Sequence, residues 1–186
     1  MTDIMIDLET LSTRSDAAII SIGACVFDLK TGEITDTFYK AIGLFDQKHY
    51  GHIDPETVSW WLQQPDDTRL DIASTSGDKT LYEALIKLRE FIRRHLTDSS
   101  RLWSNGSSFD LVILRNAYQR NQMNVIWKYW QERDCRTIYD LAKDICGIDV
   151  KSTQRTDTPH HALDDAIDQS KNVSWAYRSL ANYGDE

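Results

Sequence analysis

The sequence predicts an α/β fold: a mixed five-stranded sheet whose first three strands form an antiparallel meander, flanked by helices. Three observations carry this reading. β-branched and apolar segments with turn residues between them fill the first 42 positions. Apolar residues at helical spacing recur after Asp54. Short strand-like segments then alternate with those helices, as they do where helices pack on a sheet.

Each element has its own signal. Residues 3–7 centre on Ile4, Met5 and Ile6, a buried strand. AIISIGACVFD at 18–28 mixes apolar, β-branched and small residues as the second strand. TGE at 31–33 is a turn, and ITDTFYKAI at 34–42 completes the meander. Residues 43–54 are irregular. DPETVSWWLQQ opens a short helix with Asp54 as N-cap, Pro55 at the first helical position and Glu56 in the first turn, and Pro65 ends it. STSGDK at 74–79 is a loop. Leu81, Leu85, Leu88 and Ile92 set a helix over 80–96, with Arg93 and Arg94 suited to its last turn. RLWSNG at 101–106 is a short strand and turn, and SFDLVILRNAYQR at 108–120 a helix. A short strand falls near 132–136. TIYDLAKDIC is a helix closed by Gly147. Residues 149–159 are polar and loop-like, and a last helix runs from 160 to about 181. No repeat, low-complexity stretch or linker interrupts the chain, which reads as one domain over 1–186.

Composition narrows the function. Of 186 residues, 41% are hydrophobic and 27% charged, as in ordinary globular proteins. No apolar run approaches the ~20 residues of a membrane span. The N-terminal stretch is acidic where an export signal is basic. Cys25, Cys135 and Cys146 show no CxxC spacing, which disfavours a disulfide framework or zinc knuckle and points to a reducing, cytoplasmic setting. The net charge of −8 argues against passive coating of nucleic acid. It does not exclude an enzyme that meets phosphates through bound metal.

Three sites carry chemistry. Asp7 and Glu9 lie two apart at the end of a strand, so they share one face roughly 7 Å apart by strand rise. Such a pair is costly to bury without a cation. Asp110 follows a strand and begins a helix. PHHALDDAIDQ places His160, His161, Asp164 and Asp165 at another helix start. Taken singly, Asp110, Asp164 and Asp165 also fit as first-turn acids of helices, and the two histidines as solvated loop residues. Together they gather acids at strand ends and helix starts, where open α/β sheets bind ligands. Carboxylates without cysteines suit Mg²⁺ or Mn²⁺. Two such ions clamp a phosphodiester for in-line attack, and a histidine, with its ordinary pKa of ~6.5, suits proton transfer from water.

Asp7-x-Glu9, Asp110 and His160-x4-Asp165 resemble the three motifs of the DEDDh, or DnaQ-like, 3′–5′ exonucleases. HHALDDA fits that family's H-x-A-L-x-D-A pattern with His160 first. The resemblance spans nearly the whole chain and implies an RNase H-like fold. DLETLSTRSDAAIISIGA, TVSWWLQQ and RDCRTIYDLA are similar to the branch containing ribonuclease AS and the phage exonuclease DexA. It implies that Asp7 bridges two metals, that Glu9 and Asp165 complete the site holding the attacking water, that Asp110 serves the second metal, and that His160 is the general base. The implied product is a nucleoside 5′-monophosphate, released from the 3′ end of single-stranded RNA or DNA. A homodimer is a further family-based expectation. The sister DEDDy group has tyrosine where His161 stands, so His161 is open to a structural or substrate-contacting role.

Candidate substrate contacts are the backbone at Leu8 and Thr10, a stacking ring from the Trp60–Trp61 pair, taken as Trp61, the neighbouring Phe109, and Ser107 and Ser108 at a helix start. Core packing is the competing role for at least one of the two tryptophans. Rival readings are a haloacid-dehalogenase-type phosphatase, whose D-x-D-x-T signature Glu9 breaks, and a non-catalytic nucleic-acid-binding module on the same fold. A zinc site on His160 and His161 is disfavoured, because adjacent helical histidines point apart.

Overall fold

A computed structural model describes residues 2–43, 51–65, 68, 80–150 and 160–183. Strand β1 (Thr2–Thr10) is the middle of a five-stranded sheet. The hairpin-linked strands β2 (Ile19–Asp28) and β3 (Ile34–Ala41) pair antiparallel on one side of it. The short strands β4 (Leu102–Ser104) and β5 (Glu132–Asp134) pair parallel on the other, giving the order β3-β2-β1-β4-β5. Helices α1 (Pro55–Leu62), α2 (Leu81–His95), α3 (Asp110–Arg120), α4 (Cys135–Cys146) and α5 (Ala162–Ala181) surround it. A 3₁₀ turn, Tyr129–Gln131, leads into β5.

The period of two along β1 divides the core. Ile4, Ile6 and Leu8 pack with Leu85, Leu88 and Phe91 of α2 and Leu111 and Leu114 of α3. Met5 faces the other way, into a cluster with Tyr139 of α4 and Val173 of α5. Helices therefore cover both faces of β1, and each aliphatic side chain buried there stabilises the fold by about 1.5–3 kcal/mol. Asp3 is the one fully buried acid in this strand. Its carboxylate accepts from the Arg101 backbone N–H at 3.0 Å, from Arg101 Nε, and from Trp103 Nε1 at 3.1 Å. These bonds tie β1 to β4, a strand of only three residues.

The predicted elements and class are present, with shifted ends. β1 continues past residue 7 to Thr10, because β2 runs beside it that far, with an irregularity between Glu9 and Thr10. α1 stops at Leu62, before Pro65. α3 starts at Asp110 rather than 108, after a turn in which the N–H groups of Phe109 and Asp110 bond to the Gly106 carbonyl. Gly106 takes φ +117°, open to glycine and strained for other residues. α5 starts at Ala162 rather than 160. α4 starts earlier than read, at Cys135, capped by Asp134. The loop expected at 74–79 and most of that at 149–159 lie outside the described residues. Among the described residues no helix is long and apolar enough to cross a membrane.

Candidate active site

Asp7 and Glu9 project from the same face of β1, toward the start of α5. Asp7 pairs across the sheet with Gly23 of β2. A Cβ on Gly23 would lie 2.1 Å from the Ala162 carbonyl carbon and 2.3 Å from the Leu163 nitrogen. The missing side chain lets the N-terminus of α5 settle directly on the sheet beside Asp7. Asp165, in the first turn of that helix, is thereby set close to Glu9. His160 precedes the helix with φ +70°, an uncommon conformation for a residue with a side chain. Glu9, His160 and Asp165 present ligand atoms all within 4.8 Å of one another. Asp110 arrives from the other side, at the first position of α3, where its Oδ1 accepts the Leu8 backbone N–H at 3.2 Å.

The acids perturb one another strongly. Burial pushes the Asp7 carboxyl well above its ordinary value, and Asp110, Glu9 and Asp165 push it further. Burial, Asp165 and Asp110 raise Glu9 to about 8. Burial raises Asp110 to about 7, against the lowering effect of the Leu8 N–H and of the Arg136 guanidinium. Burial also raises Asp165, with His160 opposing. Among the described residues, no lysine or arginine forms an ion pair with any of the four. Gln169, one turn along α5 from Asp165, donates from Nε2 to Asp7 Oδ1 at 2.7 Å, while its own Oε1 is buried without a partner. A buried acidic cluster with an orphaned oxygen acceptor, lacking thiolates, fits hard divalent cations. Gln169 was not singled out in sequence, and only its place at the end of PHHALDDAIDQ hinted at it.

A cleft of about 380 Å³ opens beside Glu9, lined by Leu8, Thr10, Trp60, Trp61 and Phe109 among others. The sequence-derived contacts other than Ser107 and Ser108 thus meet at one place, but the polar groups of Leu8, Thr10 and Trp61 are engaged internally. The Leu8 N–H goes to Asp110, and the Thr10 carbonyl accepts Trp61 Nε1 at 2.9 Å. Trp61 is only 5% exposed and packs with Leu11, Ala18 and Ile20. Trp60, 42% exposed, is the solvent-facing ring of the pair. It stands edge-on to His160 with centroids 4.9 Å apart. Phe109 is half-buried against the core. Ser107 donates its N–H to Asp134, and Ser108 is exposed in the turn before α3 rather than inside the helix.

His161 points elsewhere. It is the N-cap of α5, its Nδ1 3.4 Å from the Asp164 N–H, and its ring stacks on Tyr39 at 4.4 Å between centroids. The two histidines diverge, as expected, but from a loop and a cap position rather than from within a helix.

Fold and site define a class, the RNase H-like 3′–5′ exonucleases with a DEDDh acidic centre. Within it the chain belongs to the family of the 3′–5′ exoribonuclease Rv2179c-like domain, which it matches over residues 2–177. It is similar to an exodeoxyribonuclease of Enterobacteria phage T4, at 28% identity over 160 residues, covering 74% of this chain and 70% of the phage protein. Its fold resembles the nuclease domain of 3′hExo, a DEDDh family member bound to rAMP, with a TM-score of 0.62 and 14% identity over 98% of this chain and 92% of that one. It also resembles Pop2p of S. pombe in its Mg²⁺- and Mn²⁺-bound form, with a TM-score of 0.62 and 13% identity over 95% and 84%. The protein is therefore a 3′–5′ exonuclease, and this replaces the phosphatase alternative.

Proposed function

We propose that this exonuclease shortens single-stranded RNA from its 3′ end, releasing nucleoside 5′-monophosphates, with two divalent cations, Mg²⁺ or Mn²⁺, in the acidic site. The carrying observation is the convergence of Asp7, Glu9, Asp110 and Asp165, none of them ion-paired to a lysine or arginine among the described residues. Asp7, which lies near the other three acids, would share both ions. Glu9 and Asp165 would hold one ion and Asp110 the other. Bound there, the cations supply Lewis acidity at the scissile phosphate.

The remaining work falls to the chain's own side chains. His160 stands beside Glu9 and Asp165, where its imidazole takes the proton of the attacking water. Trp60 and Phe109 wall the adjoining cleft and give the terminal base apolar surfaces to rest on, a contact worth about 1–3 kcal/mol per stacked base. Single-stranded DNA is the second reading, favoured by the similarity to the phage exodeoxyribonuclease.

The test uses 5′-labelled RNA and DNA strands of one sequence, with Mg²⁺ or Mn²⁺. The expected result is a ladder that shortens from the 3′ end, faster on RNA, and is blocked by a 3′-phosphate. Cutting of a circular single strand would overturn the reading.

A further inference from the structure

The outer strand β3 and helix α2 enclose a groove of about 570 Å³, lined by Phe38, Lys40, Lys87, Glu90, Arg93 and Arg94. Four of the six residues are cationic and one is anionic, in a protein whose net charge is −8. Lys87 reaches Glu90 at 3.1 Å, and Arg94 lies 3.8 Å from Asp36. Among the described residues neither Lys40 nor Arg93 has an ion-pair partner. The half-buried Phe38 ring, packed on Phe91 at 5.5 Å between centroids, gives the groove an aromatic floor. A cationic channel with an aromatic surface is the combination that holds single-stranded nucleic acid without reading its sequence.

The sheet register ties this groove to the catalytic end of β1. Lys40 pairs with Ile22, and Ile22 pairs with Leu8, which lines the active-site cleft. Lys40 is thus two strand spacings, about 10 Å, from Leu8 along one row of the sheet. Tyr39, the next residue, touches His161, which adjoins His160. Lys40 and Phe38 alternate with Tyr39, so the groove lies on the α2 face of β3 and Tyr39 on the face of Asp7 and α5, and a strand running from the site to the groove passes round the β3 edge.

We propose that the groove between β3 and α2 holds the phosphate backbone of the substrate strand upstream of its 3′ end, through Lys40 and Arg93. The proposal rests on the single-strand exonuclease reading above. It assigns the groove to chain length rather than to chemistry: a dinucleotide fills the cleft alone, and a long strand engages both.

The double variant Lys40→Glu/Arg93→Glu tests it. Both side chains line the surface groove and belong to neither the acidic site nor its cleft. Binding of a fluorescent single strand is measured by anisotropy in EDTA at several salt concentrations, and hydrolysis of a long strand and of a dinucleotide is measured with Mn²⁺. The expected result is a Kd for the long strand weakened about tenfold or more and a salt slope smaller by about 1.4, from two lost phosphate contacts. KM for the long strand rises, while kcat/KM for the dinucleotide stays at the wild-type value. An unchanged Kd and salt slope would overturn the proposal, including in favour of an acidic protein partner. An equal loss on dinucleotide and long strand would overturn it too. Wild-type protein that shortens neither substrate would overturn the exonuclease reading and this proposal with it.

Discussion

Two adjacent histidines have different surroundings because the backbone turns between them. His160, held at φ +70°, faces Glu9, Asp165 and the Trp60 ring, whereas His161 caps α5 and stacks on Tyr39. His160→Ala is expected to lower the cleavage rate by about 10²–10⁴ with folding intact, the usual contribution of a general base. His161→Ala is expected to cost about 1 kcal/mol of stability, as a lost N-cap does, with a much smaller fall in rate. Single-turnover cleavage and thermal melts of both variants check this. If His161→Ala were the dead variant and His160→Ala the active one, the general base would have to be reassigned. Gln169 belongs to the same scale. Its 2.7 Å bond holds Asp7 Oδ1, so Gln169→Ala is expected to weaken Mn²⁺ binding, read by calorimetry, while Gln169→Asn, one methylene shorter, does not restore it. Wild-type Mn²⁺ affinity in Gln169→Ala would leave that bond with no part in orienting the acid.

At the scale of elements, the site depends on how closely α5 approaches the sheet. Gly23 permits that approach opposite Asp7, and a methyl group there would meet helix backbone, which cannot swing aside as a side chain can. Gly23→Ala is expected to lift the start of α5, moving His160 and Asp165 away from Glu9. The cost is about 1–3 kcal/mol or more in stability. The telling readout is the loss of Mn²⁺-induced stabilisation together with cleavage, while far-UV circular dichroism is retained. Native metal response in that variant would mean the helix can seat without the glycine. The same element shows what a sequence can disclose. That Asp7, Glu9, Asp110, His160 and Asp165 come together is legible because each sits in a short local pattern whose chemistry stands out against its surroundings. Asp3, Gly23 and Gln169 are not, because their meaning lies in partners about 100 to 162 positions away, at Arg101, Ala162 and Asp7. Trp60 and Trp61 carry equal sequence signals, and only the one-position turn of a helix decides which of them is buried.

The molecule as a whole is divided electrostatically, and this sets how its stability responds to pH. Away from the four clustered acids, some carboxylates are held below their ordinary range: Asp36 by the His95 hydrogen bond, Asp54 by the Thr57 backbone N–H. Their stabilisation is present above the unfolded carboxylate value and is lost only as pH falls through acid values. The active-site acids have the opposite sign. Glu9 is raised to about 8 and Asp110 to about 7, so the folded state keeps protons that the unfolded chain releases near pH 4. Their contribution to stability is full below that value and is lost as pH rises toward 7 and 8. In EDTA, Tm is therefore expected to decline between pH 5 and pH 8, a window the lowered carboxylates do not reach. Divalent cations should reverse this, because they replace the protons, so the Tm gain from Mn²⁺ should grow over the same window. Asp7→Asn, with one charge fewer in the cluster, should flatten the decline in EDTA. Scanning calorimetry of wild type and Asp7→Asn, with and without Mn²⁺, decides it. A wild-type Tm in EDTA that rises steadily from pH 5 to pH 8 would mean the four acids are compensated by something other than metal, and the reading of the site would fail with it.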